Sequence, residues 1–221
     1  MTQRTAPHTF KLRRGRLTAH QAEGLERLGP VYGVPVTDKP LVLSELFGRA
    51  APLVVEVGFG MGEATVAMAL ADPARDVLAV DVHSPGVGKL LRALESAQLS
   101  NVRVVEADAL HVLRTMLDGV LLDEVRVYFP DPWPKARHAK RRLVSSSFCD
   151  LVAARLRPGG VLHVATDWEP YARLARGVLQ AHPDFEVAVL DTRPAHRPLT
   201  RFEQRGHAAG RRSFDLLATR G

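Results

Sequence analysis

The chain has 221 residues, 46% of them hydrophobic and 24% charged, enough for one α/β domain with a sizeable core and too few for two of typical size. Its single cysteine, Cys149, excludes an intrachain disulfide and a cysteine-rich zinc site, and no apolar run approaches the roughly 18 residues that a membrane span requires. The net charge of +6 is unevenly held: residues 1–16, 135–142 and 193–212 carry sixteen of the 30 Lys and Arg side chains with one acid, Glu203, so an acidic body bears basic extensions suited to a polyanion.

In chain order, the N-terminus is basic with no apolar stretch behind it, which argues against a secretory signal and for the cytosol. Thr18 and Gln21 have capping-box spacing ahead of Leu25 and Leu28, which predicts a short helix. A basic arm with this helix over residues 1–30 would then precede a single domain over 31–221. Strands are expected at Leu53–Val57, Val77–Val80, Val102–Glu106, Glu124–Phe129, Val161–Ala165, Phe185–Leu190 and Ser213–Ala218. Helical spacing falls between them, at Met61–Ala71, Gly86–Gln98, Ala109–Leu117, Ser146–Arg155 and Tyr171–Ala181, with Pro158-Gly159-Gly160 stopping the fourth. Strand–helix alternation implies a doubly wound, mostly parallel sheet with helices on both faces.

The first strand runs into GFGMG. Gly58, Gly60 and Gly62 permit a sharp turn and close approach of a ligand, as in the nucleotide crevice of open α/β folds. The third glycine comes one residue too early for the dinucleotide fingerprint, and Glu56 and Glu63 flank the loop where a pyrophosphate would be repelled. Two acids suit a cationic ligand such as S-adenosylmethionine. Asp81 ends the second strand, where a carboxylate accepts from ribose hydroxyls, and Asp108 ends the third, positioned for an adenine amino group or for a helix cap.

The fourth strand leads into PDPWP and then KARHAKRR. Prolines 130, 132 and 134 fix φ and restrict their neighbours, so Asp131 is held with little entropy left to lose. Guanine N7 offers a lone pair and no proton to remove, so methyl transfer to it needs no strong base. It needs an anion beside the ring on which positive charge develops, and Asp131 is the candidate. Asp167 in ATDWEPY is a second acid, Trp133 and Trp168 are either base-stacking or core residues, and the cations of 135–142 are placed to hold phosphates, with a salt-dependent contribution expected from Arg141 and Arg142. PLTRFEQRGHAAGRR reads as a loop with directed hydrogen-bonding capacity. On these residues alone, an enzyme methylating exocyclic amino groups, a nicotinamide oxidoreductase and a non-catalytic RNA-binding module remain open.

EVGFGMGEATVAMA, DVHSPGVGKLL, YFPDPWPKARHAKRR, ATDWEPYA and TRFEQRGH together resemble the tRNA (guanine-N7-)-methyltransferases. The resemblance implies a Rossmann-like seven-stranded methyltransferase sheet, mostly parallel with its last strand antiparallel, over residues 31–221. It implies S-adenosyl-L-methionine bound by Glu56, Gly58, Gly60, Asp81, Asp108 and Asp131, with Asp131 also at the reacting guanine. It implies tRNA contacts at Lys135, Arg137, His138, Lys140, Arg141, Arg142, Asp167, Thr200, Arg201, Phe202 and Glu203. The expected protein is cytoplasmic, a monomer or homodimer, and needs neither metal nor membrane. Pro134, Arg201 and Asp81 stand where histidine, lysine and glutamate are common in the family.

Overall fold

The computed structural model describes residues 9, 10 and 16–221. Arg4, Lys11, Arg13 and Arg14, which belong to the expected basic arm, lie outside the described residues. The strands are β1 (Leu53–Val57), β2 (Asp76–Asp81), β3 (Val102–Glu106), β4 (Leu122–Tyr128), β5 (Leu156–Thr166), β6 (Phe185–Leu190) and β7 (Phe214–Arg220). They form one sheet in the order β3-β2-β1-β4-β5-β7-β6. The first five pair in parallel, while β7 runs antiparallel to both β5 and β6. The predicted doubly wound, mostly parallel sheet is therefore present, with its last strand reversed.

Side chains alternate between the two faces of each strand, and both faces are covered. Val55, Leu78, Val80, Val125 and Val127 share one buried cluster with Phe148 and Val152 of α6 (Ser146–Ala153) and with Tyr171 and Leu179 of α7 (Glu169–Gln180). Val54, Val77, Ala79 and Val104 meet α1 (Ala19–Tyr32) and α4 (Ser84–Ser96) through Leu28, Leu90, Leu91 and Leu94. The capping box holds: the Gln21 backbone N–H donates to Thr18 Oγ1 at 3.3 Å, and the Thr18 N–H donates to Gln21 Oε1 at 2.9 Å. Where α1 crosses α4 the backbones nearly touch. A methyl group on Gly24 would lie 2.7 Å from the Gly88 carbonyl oxygen, and one on Gly88 would lie 2.4 Å from that of Gln21. A methyl on Gly86, two residues earlier in α4, would lie 2.0 Å from the carbonyl oxygen of Gly60.

Four local differences from the sequence expectation have physical causes. Helix α2 (Leu43–Phe47) is too short to show a period, and no side chain caps its start. The segment expected as a helix over Ala109–Leu117 is a single α turn, α5 (Ala109–His111), followed by a wider π turn over Val112–Met116, closed by the Leu117 N–H on the Val112 carbonyl at 2.9 Å. Pro158-Gly159-Gly160 lies inside β5, not ahead of it. Leu156 pairs with Leu122 and Val161 with Glu124, so the intervening residues bulge, with Gly159 at φ 76°. Finally, Arg201–Ala208 forms helix α8, not a loop, with Thr200 as its N-cap.

Candidate active site

Strand β1 lies between β2 and β4, so the carboxyl ends of β1 and β4 face the point where the strand order reverses. A cavity of about 590 Å³ opens there. The glycine loop after β1 forms one side of it, Asp81 and Asp108 a second, Pro130-Asp131 after β4 a third, and Thr200–Phe202 of α8 a fourth.

The glycine loop is built on left-handed backbone: Gly58, Gly60 and Gly62 have φ of 78°, 63° and 77°, values that side chains rarely adopt. Asp81 fastens it. Its Oδ2 accepts from the Gly60 N–H at 2.8 Å, while Oδ1 accepts from the Val82 N–H at 2.7 Å and the His83 N–H at 3.1 Å. Burial nonetheless holds the Asp81 carboxyl above its usual range, against those three donors. Glu56, on β1 beneath the loop, is 2% exposed. Its Oε2 and the hydroxyl of Thr65 are buried without a hydrogen bond of full geometry among the described residues, although the hydroxyl lies close enough to favour the ionised carboxylate. Burial pushes the Glu56 carboxyl up to about 7, with the nearby Arg126 guanidinium opposing. A buried carboxylate with an unused oxygen facing a cavity fits a cationic ligand group. Glu63 is different: Lys89 Nζ donates to it at 2.9 Å and Arg201 Nε lies 3.4 Å away, so its charge is already answered. Asp108 caps α5, accepting from the Leu110 N–H at 2.9 Å, and lines the cavity as well. That acid therefore caps its helix while still facing the cavity.

The loop after β4 is held at both ends. Phe129, before Pro130, has φ 51° and donates its N–H to the Ala165 carbonyl at 2.7 Å; Trp133, after Pro132, has φ 45°. Left-handed backbone on a bulky side chain costs about 1–3 kcal/mol each and persists only where the surroundings impose it. The surroundings are visible. Arg142 donates to the Pro132 and Trp133 carbonyls at 3.1 and 3.2 Å. The Arg141 guanidinium lies 3.6 Å from the centre of the Trp133 ring, and His138 meets that ring edge-on at 5.6 Å. The Trp133 indole N–H donates to the Thr9 carbonyl at 3.0 Å, and Arg141 donates to that of Phe10 at 3.2 Å.

The basic arm thus divides. Lys135, just ahead of a 3₁₀ turn over Ala136–Arg141, and Arg137 and Lys140 within it are exposed. Arg141 and Arg142 are half-buried braces of the acid-bearing loop, a use that charge counting could not separate from phosphate binding. Trp133 is 5% exposed and packs inside; Trp168, at 37%, is the tryptophan that faces outward.

On α8, Arg201 and Phe202 are exposed, and the Phe202 ring lies 5.3 Å from that of Phe129. Glu203 corrects the sequence expectation. It is 0% exposed and both of its oxygens accept from Arg197 at 2.7 and 2.8 Å, so its carboxylate cannot also hold a polynucleotide. Helical periodicity explains this: with Thr200 as N-cap, residue 203 turns inward. Asp167 does not line the cavity; its Oδ2 accepts from Arg211 Nε at 2.8 Å beside Gly206 of α8. Sequence reasoning missed Lys89, Arg197 and the Thr9–Phe10 strap. A lone buried arginine among sixteen clustered cations leaves no signal in composition.

Glu124, His163 and His196 bring donor atoms within 4.8 Å of one another. Both His163 ring nitrogens are engaged, with Tyr128 Oη at 3.0 Å and Asp215 Oδ1 at 2.8 Å, and Glu124 accepts from Arg126 and Arg75. Two of the three donors are thus engaged within the fold, while His196 is exposed and meets the His163 ring edge-on at 5.6 Å. No helix among the described residues is long and apolar enough to cross a membrane.

A crevice between β1 and β4, a glycine loop and acids at successive strand ends define the class: a Rossmann-like methyltransferase fold. Solved structures share it at low identity. A 16S rRNA methyltransferase, KamB, aligns with a TM-score of 0.59 at 19% identity over 81% of this chain and 92% of that one. Precorrin-6y C5,15-methyltransferase from Geobacter metallireducens aligns with a TM-score of 0.54 at 15% identity over 91% and 87%. Residues 50–216 match the family model described as "Putative methyltransferase". A curated tRNA (guanine-N(7)-)-methyltransferase from Streptomyces coelicolor is 53% identical over 96% of this chain and 80% of its own length, and one from Nitrosospira multiformis is 48% identical over 96% and 95%. The chain belongs to the tRNA (guanine-N(7)-)-methyltransferase family.

Proposed function

We propose that the protein transfers a methyl group from S-adenosyl-L-methionine to N7 of guanine 46 in the variable loop of tRNA, giving 7-methylguanosine and S-adenosylhomocysteine. The observation that carries this is a single cavity taking in Glu56, Asp81, Asp108, Asp131 and Thr200–Phe202. Cofactor and base would meet there with the loop acid beside both.

S-adenosylmethionine, when bound, supplies an electrophilic methyl group. Glu56 would answer its cationic amino-acid end, Gly58 and Gly60 would admit it to the backbone, and Asp81 and Asp108 would orient the ribose and adenine. Asp131 would sit against the guanine. The N7 lone pair forms the new bond, the electrons of the broken carbon–sulfur bond return to sulfur, and the imidazole ring gains the positive charge. A fixed carboxylate stabilises that cation more than the neutral base, so it lowers the barrier without accepting a proton. Lys135, Arg137, His138 and Lys140 would set the register of the RNA through phosphates, with Thr200, Arg201 and Phe202 at the nucleoside and Asp167 close by. The protein would act in the cytoplasm as a monomer or homodimer.

Incubation with labelled S-adenosylmethionine and tRNA, followed by chemical cleavage at N7-methylguanine, is expected to give one break, in the variable loop. Label on an exocyclic amino nitrogen of adenine or cytosine would overturn the reading.

Glu56 gives a pH signature. The ligand-free protein holds its proton up to about 7, while the unfolded chain releases it near the ordinary 4.5. Between these values the unfolded state binds fewer protons, so the Glu56 contribution to stability falls as pH rises and levels off above about 7. A cation at Glu56 favours the ionised form. Affinity for S-adenosylmethionine should therefore rise with pH, by at most about tenfold per unit below 7, and calorimetry below that value should register proton release. Glu56→Gln should bind more weakly and lose this slope. A slope that survives Glu56→Gln would remove the residue from the cofactor site.

A further inference from the structure

Arg197 is the largest of the fully buried side chains, yet it belongs to a segment whose cations otherwise face water. Four of its five N–H donors are directed at two carboxylates. Nη1 and Nη2 grip both oxygens of Glu203 on α8 at 2.7 and 2.8 Å, while Nε and Nη2 grip both oxygens of Asp215 on β7 at 2.7 and 2.9 Å. Asp215 is held in turn by His163 Nε2, and His163 Nδ1 by the Tyr128 hydroxyl, so one chain of bonds runs from the centre of the sheet to α8. The tautomer follows if the tyrosine donates: Nε2–H to Asp215, and Nδ1 as acceptor. The guanidinium carbon also lies 5.4 Å from the centre of the Phe129 ring and 5.7 Å from that of Tyr128. Phe129 is the left-handed residue immediately before Pro130-Asp131, and its ring meets Phe202.

From this geometry we infer that Arg197 is a positioning residue for methyl transfer, one buried cation that sets both the acid-bearing loop after β4 and the nucleoside-facing start of α8. The inference rests on the proposed reaction. Arg197 touches no reacting atom; it acts through Glu203 and Phe129. Only an arginine can do this, because a planar fork is needed to bridge two carboxylates with paired bonds while its face packs on aromatic rings. Lysine keeps the charge and loses the fork. Without the bridge, α8 keeps its cap at Thr200 but not its distance from the loop, so reactants would bind and meet out of line.

The test compares the wild type with Arg197→Lys, with Arg197→Met, and with the pair Arg197→Met/Glu203→Gln, in which the carboxylate left unpaired on α8 is neutralised. Measured for each are Tm, Kd for S-adenosylmethionine, kcat and KM with tRNA, and amide hydrogen exchange across α8. Arg197→Lys is expected to bind the cofactor within about threefold of the wild type, to lose kcat by about 10- to 100-fold with a smaller change in KM, and to exchange faster in α8 than in β1. The pair should regain Tm relative to Arg197→Met alone and leave kcat low. Recovery of kcat in step with Tm would reduce Arg197 to a structural residue, as would unaltered exchange in α8. A wild type that leaves guanine N7 unmethylated would sink the reaction instead, and the exchange data would still judge the bridge.

Discussion

Asp131→Asn is expected to lower kcat by about 10²–10³-fold while tRNA affinity changes by no more than about threefold. The substitution keeps the shape of the side chain and removes its charge, and loss of one preorganised electrostatic group at a transition state typically costs about 2.7–4 kcal/mol. The φ restraints come from the prolines on either side and from Phe129 and Trp133 at φ 51° and 45°, none of which the substitution touches. An amide in the same place can still accept a hydrogen bond from the guanine, but it cannot offset the charge that appears on the ring. Single-turnover methylation with saturating cofactor measures the step. If turnover is unchanged, Asp131 has no part in the chemistry and the loop is a turn only.

Replacing Lys135, Arg137 and Lys140 together with alanine should act on binding and spare the chemical step. These cations are exposed on one 3₁₀ turn and the residue that leads into it. Each phosphate contact contributes about 0.7–0.9 to the slope of log affinity against log salt, so the triple variant should flatten that slope by roughly two to three. Titrations at several salt concentrations read it directly. Arg141→Ala and Arg142→Ala should differ in kind, with lower Tm and lower kcat, because those side chains hold Trp133 and the carbonyls behind Asp131. An unaltered slope in the triple variant would locate RNA binding elsewhere.

The parts of this molecule legible in its sequence are those written in periods and punctuation. The seven strands fell close to their expected places because β-branched runs alternate with helical spacing, and the glycine loop, Asp81, Asp108 and Asp131 reach one cavity because strand ends carry them there. Helix α8 escaped because arginine, glutamine and glutamate leave almost no apolar stripe, while its Thr200 cap was visible and went unused. Arg141, Arg142, Arg197 and Glu203 could not be sorted by composition, since a charge bound for the interior has the same letter as one bound for solvent. Their partners, Trp133, Phe10, Asp215 and the backbone of the acid-bearing loop, lie at separations with no fixed period, from six residues to more than a hundred, and folding decides between them.

The three glycines on α1 and α4 have a mechanical meaning as well. Gly88 against Gln21, Gly24 against Gly88 and Gly86 against Gly60 stack main chain on main chain, with no side chain between to cushion them. A displacement of α1 against α4 would therefore pass by rigid backbone contact to Gly60 of the glycine loop, with no flexible side chain to absorb it.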